Sequence, residues 1–405
     1  MIQDKGYPDF DEYIRQGEPS KRESAYAWST AIGLQAVDGL KTSDYLNELA
    51  RRNIEGEITM DEVSKLLDSY YSSKISHEAD DDGTEEADKA SKNIKKILST
   101  VTLDFTANGL INIHRRIFEG VFKHAGELRR FDITKREWVL EGDTVRYLNW
   151  EDLRRALDYD IKQEKEYAYH GVANEDVVKH LTDFVAGLWQ IHPFREGNTR
   201  TTAVFTILYL RSIGFNVEND LFAKNSWYFR NALVRANYKN AEKGIGYSPI
   251  YLERFFRNLL LGERWELRNR YLHIHAPKEW SVQPNLLDPY KYRTSTPTST
   301  GQVPDQVQDK YRISSGQARD LIHTENYDII SLVKVIGMNH LSVKEMMAGL
   351  NLKGRDNFLN LYLMPSISEG YVRLLYPDKP HHPRQKYLLT VKGSLLYNEL
   401  INLES

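Results

Sequence analysis

The chain has 405 residues, of which 41% are hydrophobic and 27% charged, a balance typical of an ordinary water-soluble protein with two or three domains. Its net charge of -3 argues against a globally basic nucleic-acid binder and leaves room only for a local basic patch. The absence of cysteine excludes disulfides, thiolate zinc sites and a cysteine nucleophile, and it fits a cytoplasmic location. No apolar run approaches the ~20 residues that cross a bilayer, so we expect no membrane partner.

The first part of the chain is predicted to be helical and to end in an acidic segment. Apolar residues recur at helical spacing, as in Ala25, Trp28 and Ile32. The run 72–88 is rich in Ser, Asp, Glu and Gly, which is typical of an exposed linker or a long loop. We therefore place a helical segment and its acidic linker at residues 1–89.

Two short runs of β-type residues interrupt the helical block that follows. Residues 131–135 and 144–148 flank a Glu-Gly-Asp turn, and this pattern predicts a β-hairpin. Upstream of it, His114 lies on an apolar helical face, where a histidine is usually a packing residue. The remainder of the block is predicted to be helical.

The segment from His192 to Arg200 places a base, an acid and an anion-binding turn within nine residues. Apolar spacing predicts helices on both sides, over 181–191 and 201–210, so the segment is a loop between two helices. The Gly197-Asn198 turn directs the amides of Gly197, Asn198 and Thr199 toward the start of the second helix, where unpaired N–H groups favour an anion. Arg200 adds a guanidinium suited to phosphate oxygens.

The ends of this loop carry the groups that a reaction at phosphate needs. Glu196 is a hard oxygen ligand for a phosphate-bound Mg²⁺. His192 suits the role of general base for a hydroxyl that attacks the phosphate, and we expect its side chain to face the cleft. The plainer interpretation is a surface loop whose Arg and Glu pair with each other, but the combination and order of these residues disfavour it.

The loop resembles the signature of the Fic (Fido) family, H-x-F-x-[D/E]-G-N-G-R-x-x-R. The resemblance implies a protein adenylyltransferase, which moves AMP from ATP to a Ser, Thr or Tyr hydroxyl of a target protein. It also implies that Phe194 anchors the loop in the core. Two positions depart from the signature. Thr199 replaces the second Gly but still supplies an amide, whereas Ala203 replaces the Arg that seats the γ-phosphate, which leaves the level of activity open. The matching residues are His192, Phe194, Glu196, Gly197, Asn198 and Arg200.

The same resemblance implies a role for the predicted hairpin. Fic proteins carry a flap at this place, and the flap accepts the target segment as an added strand. Ile133, Thr134 and Lys135 would then be the flap residues that present the target hydroxyl to the histidine. The alternative is that the hairpin only covers the core.

Residues 26–67 resemble the small three-helix antitoxin that inhibits Fic enzymes. The inhibitory acid of the antitoxin pairs with the second Arg of the signature. Asp38 takes the acid position in one register, and Gln35 takes it in a register shifted by three residues. Because the partner Arg is Ala203 here, the resemblance implies weak inhibition by Asp38, and a purely scaffolding role is equally open.

A flexible linker is predicted at 286–320, where it includes the Ser/Thr-rich run 293–301. The C-terminal part that follows is predicted to form three helices and then a hairpin. This order, over residues 321–405, resembles a winged helix, whose third helix commonly enters a DNA groove. The excess of basic residues is small, so a DNA partner and a protein partner both stay open. Basic residues that could contact phosphates are Lys353, Arg355, Lys379, Arg384 and Lys386.

The predicted fold is therefore mainly α, with a Fic-type helical core at 90–285, a β-hairpin flap and a small C-terminal winged helix. The favoured function is AMP transfer, with Mg²⁺ and ATP as cofactor and substrate. The alternative is a DNA-binding transcriptional regulator whose Fic core senses nucleotides or is catalytically dormant. The sequence leaves open the target protein, the preferred nucleotide and a homo-oligomeric state.

Overall fold

A computed structural model describes residues 10–74, 83–100, 102–167, 169, 172, 174–215, 217, 221–277, 324, 326–337, 339–375 and 385–402. The described part of the chain is mainly helical, as predicted. The N-terminal and central helices are α1 (Asp11–Gln16), α2 (Pro19–Gly33), α3 (Asp44–Glu55), α4 (Met60–Lys74), α5 (Thr84–Thr100), α6 (Ala107–Ile117), α7 (Leu153–Glu166), α8 (Asn174–Ile191), α9 (Asn198–Ser212), α10 (Leu221–Lys224), α11 (Ser226–Asn237) and α12 (Ile250–Leu260). Short 3₁₀ turns cover Leu34–Asp38, Trp138–Leu140, Trp150–Asp152 and Asn269–Leu272.

The N-terminal segment has a small hydrophobic core of its own, which includes Trp28, Leu49 and Leu67. Helix α2 packs along α5 and so joins this segment to the rest of the protein. The predicted boundary at 89/90 falls inside α5, and the predicted linker at 72–88 is partly helical because α4 extends to Lys74 and α5 begins at Thr84. Residues 75–82 lie outside the described residues.

Helix α9 occupies the centre of the protein. Every residue from Asn198 to Leu210 is buried, which identifies a helix surrounded by protein rather than one lying on the surface. Helices α5, α6 and α8 pack against it. The loop between α8 and α9 therefore opens from the middle of the core, and both predicted flanking helices are found.

The predicted flap hairpin is not a pair of strands. Residues 131–148 contain no strand and form two arms around the Trp138–Leu140 turn, joined by a hydrogen bond from Glu137 N to Asp143 O of 2.9 Å. Side chains take the backbone groups that a ladder would use: Thr144 Oγ1 accepts from Lys135 N at 3.2 Å, and Arg129 binds two carbonyls of the arms. The strand assignment was wrong because sequence alternation does not show such side-chain competition.

The C-terminal part follows the predicted order of three helical stretches and a hairpin. The hairpin pairs Val372 with Leu389 and Leu374 with Tyr387 in an antiparallel register. A final helix, which the sequence analysis missed, follows the hairpin. The elements are α13 (Tyr327–Ile336), α14 (Val343–Gly349), α15 (Arg355–Phe358), a π turn (Leu359–Leu363), α16 (Met364–Ser368), β1 (Val372–Leu374), β2 (Tyr387–Leu389) and α17 (Val391–Asn402).

This C-terminal part packs directly on the central helices. Gly214 at the end of α9 has φ +100°, and a Cβ atom there would lie 2.4 Å from the carbonyl oxygen of Gly370. The two parts thus meet backbone to backbone, which only glycine allows. The predicted linker at 286–320, the run 293–301 and two of the basic residues, Lys379 and Arg384, lie outside the described residues. Among the described helices, none is long and apolar enough to span a membrane.

Candidate functional site

The 192–200 loop is held in a fixed and partly strained shape. His192 has φ +49° and Gly197 has φ +73°, both in the left-handed region that costs a non-glycine residue energy. The Asn198 side chain closes the loop on itself: Phe194 N donates to Oδ1 at 2.9 Å, and Nδ2 donates to Phe194 O at 2.7 Å. The backbone amides of the first turn of α9 have no intrahelical acceptor, so they are left for an anion.

Thr199 shows why the departure from the second glycine is tolerated. Its hydroxyl accepts a hydrogen bond of 3.0 Å from the indole nitrogen of Trp189 on α8, and the residue is buried. The side chain is therefore used to join the two helices that flank the loop. Its amide still belongs to the first turn of α9.

His192 does not face an open cleft, contrary to expectation: its side chain is buried, with 2% of the residue exposed. Nδ1 lies 3.3 Å from Trp189 O, which identifies Nδ1 as the protonated nitrogen because a carbonyl can only accept. Nε2 is buried and has no hydrogen-bond partner among the described residues. Burial lowers the pKa of His192 well below the usual imidazole value, and the charge of Lys135 lowers it further. The ring is therefore neutral, with Nε2 free to accept a proton.

Arg129 fastens the loop to the two arms of the 131–148 segment. Its side chain is buried, and it donates to His192 O at 2.8 Å and to Phe131 O at 2.7 Å. It also donates to Leu148 O, on the other arm. One guanidinium thus joins three backbone segments, which its five planar donors make possible.

A second histidine supports the acidic end of the loop. His114 is fully buried, as expected for a packing residue, and stacks on Phe194 with ring centroids 3.7 Å apart. Gly126 N donates to its Nδ1 at 2.8 Å, so Nε2 carries the proton and donates to Glu196 O at 3.1 Å. Burial lowers the pKa of His114 to about 3. Phe194 itself is 1% exposed.

Arg200 does not lie free for a ligand. Its side chain is 2% exposed and is surrounded by three groups of the N-terminal region. Nη1 donates to Gln35 Oε1 at 2.9 Å, and Nη2 donates to Glu86 Oε1 at 2.6 Å. Nε lies 2.9 Å from Asp38 Oδ2, close enough for an ion pair, although the N–H does not point at that oxygen. Both residues that the antitoxin resemblance offered for the inhibitory position, Asp38 and Gln35, therefore contact Arg200.

Asp38 lacks the second Arg of the signature, as expected, but it has other arginine partners. Ala203 is fully buried in α9, but two other arginines contact the carboxylate. Besides Arg200, Arg230 on α11 places Nη1 3.4 Å from Asp38 Oδ1. Arg230 lies on a different helix from the signature, so the signature itself gives no sign of this partner.

Arg230 also links this ion-pair cluster to the histidine. Its Nη2 donates to both carboxylate oxygens of Glu137 at 3.0 Å. The Tyr147 hydroxyl donates to Glu137 Oε1 at 3.3 Å, and the Tyr147 ring lies against His192 with centroids 4.0 Å apart. Burial lowers the pKa of Arg230, but Glu137 and Asp38 raise it more, so the net shift is upward.

Glu196 and the predicted flap residues meet at the surface. Lys135 Nζ lies 3.3 Å from Glu196 Oε2, and the Glu196 side chain is 57% exposed. Ile133 is half-buried and Thr134 is exposed on the same arm. A single exposed carboxylate beside a phosphate cradle fits a Mg²⁺ ion that arrives on a nucleotide, because such ions keep waters and phosphate oxygens as most of their ligands.

This chain spans about half the length of the curated relatives it matches. Protein adenylyltransferase VbhT of Bartonella schoenbuchensis is 22% identical over 223 residues, which is 53% of this chain and 44% of that protein. Probable protein adenylyltransferase Fic of Salmonella typhimurium is 27% identical over 121 residues, which is 29% of this chain and 56% of that protein. Among solved structures, a Fic family protein from Desulfovibrio desulfuricans G20 is 16% identical with a TM-score of 0.38, covering 94% of this chain and 89% of that one.

Two family profiles match separate parts of the chain. The profile of the Fic/DOC family matches residues 104–210, which run from just before α6 to near the end of α9 and include the complete 192–200 loop. A second profile matches residues 327–390, from α13 to just after β2. It describes the family "Filamentation induced by cAMP protein Fic-like, C-terminal domain". The chain therefore contains a Fic/DOC family domain followed by a Fic-like C-terminal domain.

Proposed function

We propose that this protein transfers AMP from ATP to a Ser, Thr or Tyr hydroxyl of a target protein. The observation that carries the proposal is the 192–200 loop in the Fic/DOC domain. It combines an imidazole nitrogen without a partner among the described residues, an anion-binding helix start and an exposed carboxylate. The names of the relatives, which are protein adenylyltransferases, support the same activity.

In this mechanism Nε2 of His192 accepts the proton of the target hydroxyl while the hydroxyl oxygen attacks the α-phosphorus of ATP. The bond from that phosphorus to the oxygen bridging to the β-phosphate breaks, and pyrophosphate leaves. Gly197, Asn198 and Thr199 bind phosphate through the turn and the first amides of α9, and Arg200 supplies positive charge. Mg²⁺, held by Glu196, would neutralise phosphate charge when it is bound.

The arrangement described here is a closed state of that site. Gln35 and Glu86 accept hydrogen bonds from Arg200, and Asp38 lies against its Nε as an ion-pair partner. The Tyr147 ring covers His192, and Lys135 forms an ion pair with Glu196. We assign the inhibitory role to Asp38, assisted by Glu86, which the sequence analysis did not single out.

The segment 131–148, with Ile133, Thr134 and Lys135, is the proposed place where the target docks. Its arms contain no strand, so an added target segment would pair with the backbone groups that Thr144 and Arg129 do not already bind. The Fic-like C-terminal domain is proposed to be a winged-helix-like module. Its third helical stretch exposes Leu361 and Met364, which suit a protein partner better than the phosphates of DNA. A cytoplasmic location belongs to the same proposal.

The test measures which phosphate of ATP becomes bound to protein. The protein and its Asp38→Ala variant are incubated with Mg²⁺, cell lysate and ATP labelled on either the α- or the γ-phosphate. Protein-bound label from the α-phosphate alone is the expected result. Label from the γ-phosphate would indicate a kinase, and retention of specific DNA without any label would favour the transcriptional regulator.

A further inference from the structure

A polar cavity of about 390 Å³ lies where α4, α5 and the end of α6 meet. Its size is within the range of small-molecule sites, which is about 300–1,000 Å³. Helices α4 and α5 precede the matched Fic/DOC region, which begins at residue 104, whereas α6 lies inside it. The cavity is therefore a junction between the N-terminal helices and the Fic/DOC domain. Its charged lining residues are Asp68, Lys89, Lys92, Lys96, Arg116 and Glu119.

Four cationic side chains converge on this cavity from two helices. Lys89, Lys92 and Lys96 are spaced by three and then four residues on α5, so they share one face of that helix. Arg116 lines the same cavity from α6. Like charges at this helical spacing repel each other, so the arrangement costs the helix stability unless an anion lies among them.

The two central cations are not paired with an acid. The outer lysines of α5 form ion pairs with neighbouring carboxylates, at 2.5 Å and 3.7 Å. Lys92 and Arg116 are half-buried, and neither forms an ion pair with any of the described residues. Burial lowers the pKa of Lys92, and the neighbouring lysines lower it further, which Asp68 and Glu119 offset only in part. The protein alone therefore stabilises this ammonium poorly.

Burial also decides which charge the cavity would take from a ligand. Asp68 and Glu119 are exposed, so water can hydrate their carboxylates. An unpaired cation that is half-buried has lost part of its hydration without a protein anion to replace it. Lys92 and Arg116 are the cations in this position. The cavity is therefore better suited to an anion than to a metal ion or an organic cation.

We propose that this cavity binds a small molecule that carries two or more phosphate groups, between Lys92 of α5 and Arg116 of α6. The donors come from two helices rather than from one plane, so a phosphate with three acceptor oxygens matches them better than a planar carboxylate. Lysine supplies a compact charge with three donors, and arginine supplies a fork of five. The volume and the outer lysines provide for more than one phosphate group.

A ligand at this place would act on the support of the 192–200 loop. Asn93, which also lines the cavity, donates from Nδ2 to Ile117 O at 3.0 Å and to Glu119 O at 3.1 Å. These carbonyls flank Phe118, whose buried ring lies under the Arg200 guanidinium with its centroid 4.7 Å from the central carbon. A ligand that binds this arrangement of helices stabilises it, and so fastens the N-terminal helices to the Fic/DOC domain.

The experiment is a calorimetric titration of the full chain with pyrophosphate, without Mg²⁺ and at about 0.15 M salt. Lys92→Met and Arg116→Met are each expected to weaken binding by about tenfold, the lower end of the range for a charge-assisted contact. Pyrophosphate should also raise the Tm of the wild-type chain and raise it less in either variant. ADP is titrated in parallel. Weaker binding of both ligands assigns the site to a diphosphate with or without a nucleoside, and weaker binding of pyrophosphate alone assigns it to a bare diphosphate.

Arg115→Met is the matched control, because Arg115 is the neighbouring residue on α6 and carries the same charge. It does not line the cavity, and it donates to Asn112 Oδ1 at 3.4 Å. The site is overturned if the wild-type chain does not bind pyrophosphate, if both cavity variants bind it as the wild type does, or if Arg115→Met weakens binding equally. Neither cavity substitution changes the 192–200 loop, so AMP transfer without pyrophosphate should stay at the wild-type rate. Failure of this site would thus leave the proposed function standing, and a chain that never transfers AMP could still show the site.

Discussion

Gly197→Ala tests how tightly the candidate loop is built into the core. Gly197 has φ +73°, and a Cβ atom at this position would lie 2.2 Å from both Cε2 and Cζ of Phe118. The Phe118 ring is fully buried and carries the Arg200 guanidinium 4.7 Å from its centroid. The substitution therefore strains the backbone and also pushes a ring that supports an arginine of the site.

The two effects can be separated and given magnitudes. A left-handed conformation costs a non-glycine residue about 1–2 kcal/mol, and overpacking a buried contact costs about 1–3 kcal/mol, so we expect a loss of about 2–5 kcal/mol in the free energy of unfolding. Gly120→Ala is the matched control: Gly120 has φ +74°, but nothing lies within 4 Å of its added Cβ. It should lose only the backbone part, about 1–2 kcal/mol.

Urea denaturation of both variants, followed by circular dichroism, measures the difference. We expect Gly197→Ala to be less stable than Gly120→Ala by about 1–3 kcal/mol and also to bind tripolyphosphate more weakly. Equal loss of stability in the two variants would show that the ring does not pack against Gly197, and the described geometry of the loop would then be wrong.

Three further predictions address the site. His192→Ala should reduce AMP transfer by about 10²–10⁴-fold with an unchanged circular dichroism spectrum, whereas unchanged transfer would exclude this base. Glu196→Ala should weaken ATP binding in the presence of Mg²⁺ and leave metal-free tripolyphosphate binding as it was; equal loss in both would contradict a metal role. Because burial lowers the pKa of His114 to about 3, the unfolded state binds more protons below the ordinary imidazole pKa. The free energy of unfolding should therefore fall as the pH drops from about 6.5, by up to about 1.4 kcal/mol per pH unit, and His114→Gln should reduce this slope.

The parts of the fold that sequence analysis predicted are those encoded locally. The helices on either side of the loop follow from apolar spacing, and the loop itself follows from residues 192–200. The packing role of His114 followed from its apolar helical face. Each of these depends on neighbours within a few turns of the chain.

What the sequence could not show are contacts between residues far apart in the chain. Asp38 meets Arg200 and Arg230 only because α2 packs along α5 and the Leu34–Asp38 turn lies against α9 and α11. The hydrogen bonds of Arg129 to both arms of the 131–148 segment replaced the predicted strand ladder in the same way. A charged residue next to an apolar helix gives no sign of its partner, so these roles required the structure.

AMP transfer with His192 as the base can be tested with ATP labelled on the α-phosphate. Transfer is compared between the wild-type chain, the Asp38→Ala variant and the variant that combines Asp38→Ala with His192→Ala. We expect slow labelling of protein by the wild type and faster labelling by Asp38→Ala, because Arg200 and Arg230 are released. Replacing His192 as well should reduce the labelling by about 10²–10⁴-fold. Labelling that persists without His192 would contradict the proposed base. The absence of labelling in all three proteins, with ATP bound to Asp38→Ala, would contradict the proposed transfer itself.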